Sequence, residues 1–236
     1  MQDYRTNLKV DIHDVDFNGV ARASSVMRYI QAAAQSQLTE HGMSYDSLRA
    51  RNRAFILSKI KIEFSDTLRA YEPLTAITFP CESRGYSFLR CYKLKRDGLT
   101  VARAVSVWAL IDTESRSLVK VNDFDLGLDT YDALDIPLSR IVIPKGIETV
   151  GTYKVNYDDI DQNRHMNNTR YPDIYSNYLP LDNRRIETMT ISYFDEAPMG
   201  DVLTVQRCEF SGTYYFRTVR SDGKINSEAE IRLTKI

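Results

Sequence analysis

The feature that most constrains the fold of this chain is an internal repeat. Three polar residues of an early segment match three of a later one at a constant offset of 145 (159 − 14): Asp14 with Asp159, Asp16 with Asp161 and Asn18 with Asn163. The offset becomes 129 (203 − 74) where Phe64 meets Tyr193 and Leu74 meets Leu203, and 125 (222 − 97) where Asp97-Gly98 meets Asp222-Gly223. Two copies of one structural unit are therefore expected within 236 residues.

Each copy is predicted to run from a strand through a polar junction into a helix and then into further strands. In the first copy, apolar residues spaced by three and four predict a helix from Ser24 to His41, closed by Gly42. A shorter helix is expected at 45–51, with Ser44 as its cap. Period-two patterns predict strands at 4–12, 55–64, 73–84, 86–95 and 99–111. The last is apolar on both faces, which predicts a central strand.

The second copy follows a segment with little periodicity. Residues 112–149 hold many aspartates and two prolines and are expected to form a linker that packs on the surface. A strand at 152–157 then leads into the second junction, and a helix is predicted from Thr169 to about Leu179. We therefore expect an α+β fold with an N-terminal unit at 1–115, a linker at 116–148 and a C-terminal unit at 149–236.

Composition excludes several classes of function. The net charge of −1 gives no sign of nucleic-acid binding, and the three cysteines have neither a disulfide nor a metal-site spacing. No cofactor or metal is expected. The sequence shows no leader pattern and no apolar run near 18 residues, so we expect a cytoplasmic location and no membrane partner.

The second junction carries the residues that suggest chemistry. Residues 161–168 read Asp-Gln-Asn-Arg-His-Met-Asn-Asn, and His165 stands where the first copy has Val20. Glu196, at the offset of 129, stands where the first copy has Thr67. If there is a reaction, the second copy holds its groups, and the first copy is free to shape a binding site.

The order of a long helix, an antiparallel sheet and a polar junction before the helix is that of a hotdog fold. The motif Asp161-x-Asn163-x-His165-x-Asn167-Asn168, followed by Tyr193-Phe194-Asp195-Glu196-Ala197, resembles the acyl-acyl carrier protein thioesterases of plant plastids and their bacterial relatives. The resemblance covers the whole chain and implies a tandem hotdog. It also implies hydrolysis of the thioester between a fatty acyl chain and acyl carrier protein, with Asp161, Asn163, His165 and Glu196 as catalytic positions.

One departure from that family bears on the mechanism. Plant members often have a cysteine directly after the glutamate, and here that position is Ala197. A mechanism with activated water is therefore expected, with Glu196 as the first choice of base and His165 as the second. Partial desolvation beside an acyl pocket is expected to increase the basicity of Glu196. Asp161 would hold Asn163 or the His165 ring, and backbone N–H groups at the helix start would bind the oxyanion.

Further residues are expected to bind the substrate and its carrier. Asn167 and Asn168 are candidate substrate-binding residues, as are Met27, Ile30 and Ala34 on the first helix, whose main role is in the core. Acyl carrier protein is strongly acidic, so docking is expected on basic residues. The candidates are Arg49, Arg51, Arg53, Arg184 and Arg185.

Several alternatives stay open. A coenzyme A thioester could be the substrate, because the hotdog scaffold hosts both kinds of thioesterase. A non-catalytic acyl-binding protein is a third possibility, although no DNA-binding segment is evident. A dehydratase is disfavoured, because it would need its histidine and its acid on opposing copies. Neither the acyl chain length nor the choice between monomer and homodimer follows from the sequence.

Overall fold

The computed structural model describes residues 3–236, which form eleven strands and three α-helices. The helices are α1 (Ala23–Glu40), α2 (Tyr45–Ala50) and α3 (Tyr171–Ser176). The strands of the first copy are β1 (Tyr4–Lys9), β2 (Arg53–Phe64), β3 (Pro73–Pro80), β4 (Phe88–Arg96), β5 (Leu99–Asp112) and β6 (Leu118–Val119). Those of the second are β7 (Glu148–Lys154), β8 (Arg184–Tyr193), β9 (Val202–Phe210), β10 (Thr213–Val219) and β11 (Ile225–Lys235). No helix in this range is both long and apolar enough to cross a membrane.

The chain divides into two compact units that do not follow the sequence strictly. The first unit comprises the chain up to Val10 together with Arg28–Asp66 and Tyr71–Leu138. The second comprises Asp11–Met27, Thr67–Ala70 and Ser139–Ile236. The predicted linker is thus divided at Leu138, and the early polar junction belongs to the same unit as the later one.

The sheet of the first unit is antiparallel, with the strand order β1-β3-β4-β5-β2. The predicted central strand is confirmed, because β5 pairs with β4 on one side and β2 on the other. Its pairing with β4 starts from a hairpin turn, where Asp97 and Gly98 both have positive φ (49° and 79°). This is the conformation of a two-residue turn that matches the twist of the strands it joins.

The first helix forms where its periodicity predicts. Its apolar stripe is buried, with exposed fractions of 0% for Met27, 2% for Ile30 and 6% for Ala34. The helix is closed by Gly42, whose φ of 75° is the left-handed conformation that glycine adopts without strain. The cap of α2 is also as predicted, since the Ser44 hydroxyl accepts a hydrogen bond from the Ser47 amide.

The first part of the predicted linker covers one face of the first sheet. Ile136 is buried in a cluster with residues of β3, β4 and β5, and Tyr131, Leu134 and Leu138 pack against it. The amide of Leu134 donates to the sulfur of Cys91, at 3.3 Å. This segment therefore stays on the surface without forming a helix longer than a single 3₁₀ turn at Val121–Asp123.

The second unit repeats the same arrangement. Its sheet is antiparallel in the order β8-β11-β10-β9-β7. The pairings recur at the offsets read from the sequence: Leu8 lies opposite Leu74 in the first sheet, and Tyr153 lies opposite Leu203 in the second. Tyr175 of α3 packs on Phe216 of β10, with ring centroids 4.9 Å apart.

The second helix is much shorter than predicted. A 3₁₀ turn at Asn168–Arg170 precedes α3, which ends at Ser176 instead of about Leu179. The amides of Tyr178 and Leu179 bond three residues back, to Tyr175 and Ser176, so the last turn tightens. Pro180 follows, and the residue before a proline disfavours helical geometry.

Candidate active site

The two polar junctions share a pattern of hydrogen bonds that involve the main chain. In the first, the Asp16 carboxylate accepts from the amide of Asn18 at 2.8 Å, and the Asp16 amide donates to the carbonyl of Val20. In the second, the Asp161 carboxylate accepts from the amide of Asn163 at 2.8 Å, and the Asp161 amide donates to the carbonyl of His165. The turn is therefore a property of the repeat, and His165 takes the place of Val20 within it.

The residue before Val20 and the residue before His165 both have a left-handed backbone conformation. Gly19 has a φ of 71° and Arg164 a φ of 66°. A non-glycine residue in this region costs of order 1 kcal/mol, and such residues cluster at functional sites. The next amide in each copy then bonds to an equivalent carbonyl, Ala21 to Leu68 at 2.7 Å and Met166 to Ala197 at 2.8 Å.

This geometry brings His165 and Glu196 together. The Nε2 atom of His165 lies 3.1 Å from a carboxylate oxygen of Glu196. Glu196 lies in the turn between β8 and β9, because β8 ends at Tyr193 and β9 begins at Val202. The expected desolvation is also absent, since 53% of the Glu196 side chain is exposed, against 35% for His165. The pair can act on a reactant that arrives from solvent.

Asp161 and Asn163 precede His165 in the same turn but have different contacts. The Asp161 carboxylate binds the main chain of Asn163, which supports a role in shaping the turn. Within residues 3–236, no hydrogen bond joins that carboxylate to the side chain of His165 or Glu196. Asn163 is exposed.

A buried carboxylate anchors the junction from below. The Asp159 side chain is fully buried and accepts hydrogen bonds from the Tyr153 hydroxyl at 2.8 Å and from Arg170 Nε at 2.9 Å. It also accepts from the amide of Asn156 at 2.9 Å. Burial, together with the Asp159 carboxylate, raises the pKa of Tyr153 to about 12. In the first copy, Asp14 stands in place of Asp159 and Ser25 in place of Arg170. The Asp14 carboxylate accepts a hydrogen bond from the Ser25 hydroxyl, so this anchor is also part of the repeat.

The two asparagines predicted to bind substrate contact the protein itself. The Asn167 side chain accepts from the amide of Thr169 at 2.9 Å, and the Asn167 carbonyl accepts from the amide of Arg170. The Asn168 carbonyl accepts from the Tyr193 hydroxyl at 2.9 Å. The amides of Thr169 and Arg170 are therefore occupied, and the helix that follows has six residues. An oxyanion site at the helix start, as predicted, is not supported by these contacts.

The basic residues predicted for docking differ in their availability. Arg49, Arg51 and Arg184 are exposed. Arg53 is half-buried and forms an ion pair with Asp112, so it is less available to a partner. Arg185 is also half-buried, and its guanidinium donates to the carbonyl of Ile186 at 3.3 Å.

The cysteine outside the first unit has no place in this site. Cys208 lies on β9 opposite Tyr215 of β10. Burial raises the pKa of the Cys208 thiol, which keeps it protonated and a poor nucleophile. Residues 3–236 contain no group of three or more histidine, cysteine, aspartate or glutamate side chains arranged to hold a metal ion.

One residue near the site was not singled out from the sequence. Asn226 is fully buried at the start of β11 and bonds to the main chain just before Glu196. The sequence does contain a signal for it. At the offset of 125, Asn226 aligns with Val101 of the first copy, so a polar residue stands where the other copy has an apolar one. A buried asparagine side chain needs a hydrogen-bonding partner, because burying an unpaired amide costs free energy.

Two family models together cover nearly the whole chain. Residues 1–125 match the acyl-ACP thioesterase N-terminal domain, and residues 144–235 match the acyl-ACP thioesterase C-terminal domain. Among curated relatives, oleoyl-acyl carrier protein thioesterase 1 of Arabidopsis thaliana, a chloroplast protein, is 23% identical over 95% of this chain and 70% of its own length.

Solved structures share the fold along the full length. An acyl-ACP thioesterase of Bacteroides thetaiotaomicron is 21% identical, with a TM-score of 0.89 over 98% of this chain and 97% of that one. The 12:0-ACP thioesterase of Umbellularia californica is 14% identical, with a TM-score of 0.85 over 99% and 98%. The predicted tandem hotdog fold is confirmed.

Proposed function

Because this chain belongs to the acyl-ACP thioesterase family, we propose that it releases a free fatty acid from acyl-acyl carrier protein by attack of a water that Glu196 activates. The family makes the protein a thioester hydrolase. The observation that carries the assignment of the site is the contact of 3.1 Å between His165 Nε2 and Glu196, two residues replaced by valine and threonine in the first copy.

The reaction divides among few groups. Glu196 takes a proton from water, whose oxygen attacks the thioester carbonyl carbon. Negative charge then develops on the carbonyl oxygen, and the side chains of Asn163 and His165 are our candidate donors to it, in place of the helix amides. When the tetrahedral intermediate collapses, the carbon–sulfur bond breaks, and the thiolate of the carrier takes up the proton. The half-exposed Glu196 side chain allows water to reach it.

The remaining predicted residues have supporting roles in this proposal. Asp161 fixes the turn that presents Asn163 and His165. Asn167 and Asn168 shape the start of the second helical segment, through which the substrate is bound. Met27, Ile30 and Ala34, buried on α1, are the apolar residues against which the acyl chain lies. Arg49, Arg51, Arg184 and Arg185 offer positive charge to the acidic carrier protein.

The test is hydrolysis of a panel of acyl-acyl carrier proteins from C8 to C18 by the wild type, His165→Ala and Glu196→Gln. We expect kcat to fall about 10²- to 10³-fold in each variant, with KM changing little, because each group acts on the reacting atoms. Undiminished turnover by Glu196→Gln would remove it as the base. Hydrolysis of the same acyl groups attached to coenzyme A tests the alternative that the substrate is a coenzyme A thioester.

The repeat supplies a matched control for these variants. Asp161→Asn and Asp16→Asn remove the same carboxylate from the same backbone turn, once beside His165 and once beside Val20. We expect similar losses of stability from the two changes. The loss of kcat should be confined to Asp161→Asn, and an equal loss from both would show that the turn matters only for folding.

A further inference from the structure

Asn226 holds the main chain immediately before Glu196 by three hydrogen bonds. Its side-chain Nδ2 donates to the carbonyl of Asp195 at 2.5 Å. Its own carbonyl accepts from the amides of Phe194 at 2.9 Å and Asp195 at 3.3 Å. The Asp195 carboxylate in turn accepts from the amide of Glu196 at 3.0 Å. One fully buried residue therefore fixes the segment from which the Glu196 side chain projects.

The first copy keeps two of these three hydrogen bonds. The carbonyl of Val101, the counterpart of Asn226, accepts from the amides of Ser65 and Asp66 at 2.9 and 3.4 Å. Valine has no amide, so the bond from the side chain is missing there. The residue that follows is Thr67, the counterpart of Glu196. The side-chain bond thus occurs in the copy that has the acid and is absent from the copy that lacks it.

The Asn226 amide is itself anchored inside the second unit. Its Oδ1 accepts from the Thr218 hydroxyl at 2.9 Å, and Thr218 and Ser227 share a hydrogen bond of 2.5 Å. Ser227 bonds to the Tyr175 hydroxyl of α3 at 2.6 Å, and all four residues are fully buried. By the same offsets, Ile30 and Ala102 stand in place of Tyr175 and Ser227. A buried polar network is retained at a cost in desolvation, so its presence in one copy alone points to a specific role.

A different set of contacts near the turn belongs to the scaffold of the repeat. Arg220 binds the carboxylates of Asp195 and Asp201, at 3.1 and 2.8 Å. In the first copy, Arg96 binds Asp66 and Glu72, which stand at the same offset of 129. Because such a triad of one arginine and two carboxylates is present in both copies, it does not distinguish the copy that has Glu196 from the copy that has Thr67.

We propose that Asn226 is a positioning residue that acts through Glu196, holding its main chain so that the carboxylate stays in contact with His165. Since about half of the Glu196 side chain is exposed, packing does not fix its direction, and the main chain must do so. A misplacement of about 1 Å can reduce a rate about 10²-fold. This inference rests on the proposed roles of Glu196 and His165.

The experiment is a double-mutant cycle between Asn226→Val, which installs the residue of the first copy, and Glu196→Gln. Single-turnover rates with excess enzyme make the slow variants measurable. In the wild-type background we expect Asn226→Val to lower kcat about 10- to 100-fold, with KM within twofold. In the Glu196→Gln background the same change should lower the residual rate by less than twofold, because the group it positions is gone.

Two further variants keep the test decisive. Thr218→Val keeps the shape of the side chain and leaves Asn226 in place, but removes the hydroxyl that anchors Asn226 and bonds to Ser227. If Asn226→Val fails to fold, this variant should show a smaller loss with the same dependence on Glu196. Arg96→Met breaks the triad of the first copy and should lower the unfolding midpoint without lowering kcat. Equal losses from Asn226→Val in both backgrounds, or a loss of kcat from Arg96→Met at matched stability, would overturn the inference. Full turnover by Glu196→Gln would instead overturn the proposed base.

Discussion

Single side chains separate the two copies at positions where the backbone is the same. His165 replaces Val20 and Glu196 replaces Thr67, yet the backbone–backbone hydrogen bonds around each pair of positions correspond. Arg164 replaces Gly19 and keeps its left-handed φ. A turn that both copies form must be stable without the reacting groups. The two side chains to which we assign the reaction are therefore added to a scaffold that does not depend on them.

The pH dependence of stability can be predicted for one buried acid of this scaffold. Burial raises the pKa of Asp201, but hydrogen bonds from Ser221 and Arg220 outweigh it, and the net pKa is lowered. A carboxylate with a lowered folded pKa contributes stability above its unfolded pKa of about 3.9, and that stability is lost as pH falls below this value.

We therefore expect Asp201→Asn to lower the free energy of unfolding by about 2 to 4 kcal/mol at pH 7, because Arg220 and Ser221 lose a buried partner. Below pH 4 the difference from the wild type should shrink, since the wild-type carboxylate then gains a proton in the unfolded state and, at a still lower pH, in the folded state. Urea unfolding between pH 3 and 7 measures both effects. The control is Asp182→Asn, which changes an exposed acid. Its free energy of unfolding should follow that of the wild type over the same pH range. A difference that is constant with pH would contradict the assignment.

At the scale of elements, the two copies differ most in their helices. The first copy has α1 with 18 residues and α2 with 6, whereas the second has α3 with 6 after a single 3₁₀ turn. The change of the offset from 145 to 129 means that the second copy is 16 residues shorter in this region (145 − 129). The second copy compensates with aromatic side chains, since Tyr171 packs on Tyr193 and Tyr175 packs on Phe216.

The chain after α3 depends on a glycine of β7. A Cβ atom added at Gly151 would lie 2.9 Å from Cζ of Tyr178, and its hydroxyl would be closer still. We expect Gly151→Ala to lower the free energy of unfolding by about 1 to 3 kcal/mol, because the tyrosine ring must move away from the strand. Thermal or urea unfolding measures the change.

A double variant provides the control for this contact. Tyr178→Ala removes the clashing ring, so Gly151→Ala should cost much less in that background than in the wild type. Equal costs in both backgrounds would mean that Gly151 is needed by the strand itself, at the irregular pairing of β7 with β9 between Thr149 and Gly151.

At the scale of the molecule, net charge gives little attraction for an acidic partner. The formal charge is −1, so any electrostatic docking depends on local basic clusters and not on the overall charge. Arg184 and Arg185 are adjacent in the chain and begin β8, the strand that leads to the turn carrying Glu196. Of the predicted basic residues, this pair lies in the same compact unit as the candidate site.

If the carrier protein docks on this pair, kcat/KM should fall steeply with salt, because exposed charges are screened within about 10 Å at 0.1 M. We expect the double variant Arg184→Glu/Arg185→Glu to lose about tenfold in kcat/KM at low salt and to show a flatter salt response. Arg116→Glu/Lys120→Glu, in the linker, makes the same change in net charge and should have little effect. With the same acyl group on coenzyme A, kcat/KM should depend much less on salt and on this double substitution. A flat response of the wild type to salt would contradict electrostatic docking.

The sequence by itself determined the repeat, the class of each element and the residues that distinguish one copy from the other. These properties are local or periodic: a stripe of Met27, Ile30 and Ala34 makes a helix, and Asp97-Gly98 makes a turn, whatever lies nearby. The motif around His165, with Glu196, was enough to indicate the family. The end of the second helix was not predicted, because it depends on Pro180 acting together with a tightened last turn.

Only the tertiary structure decided which groups meet. It placed Glu196 in an exposed turn, against His165, where the sequence suggested a partly desolvated side chain. It showed that the amides at the start of the second helical segment are occupied by Asn167. It also joined Asn226 to the main chain before Glu196, a contact between residues 31 apart in the chain. Burial and hydrogen-bond partners arise when distant segments pack together, and no local pattern records them.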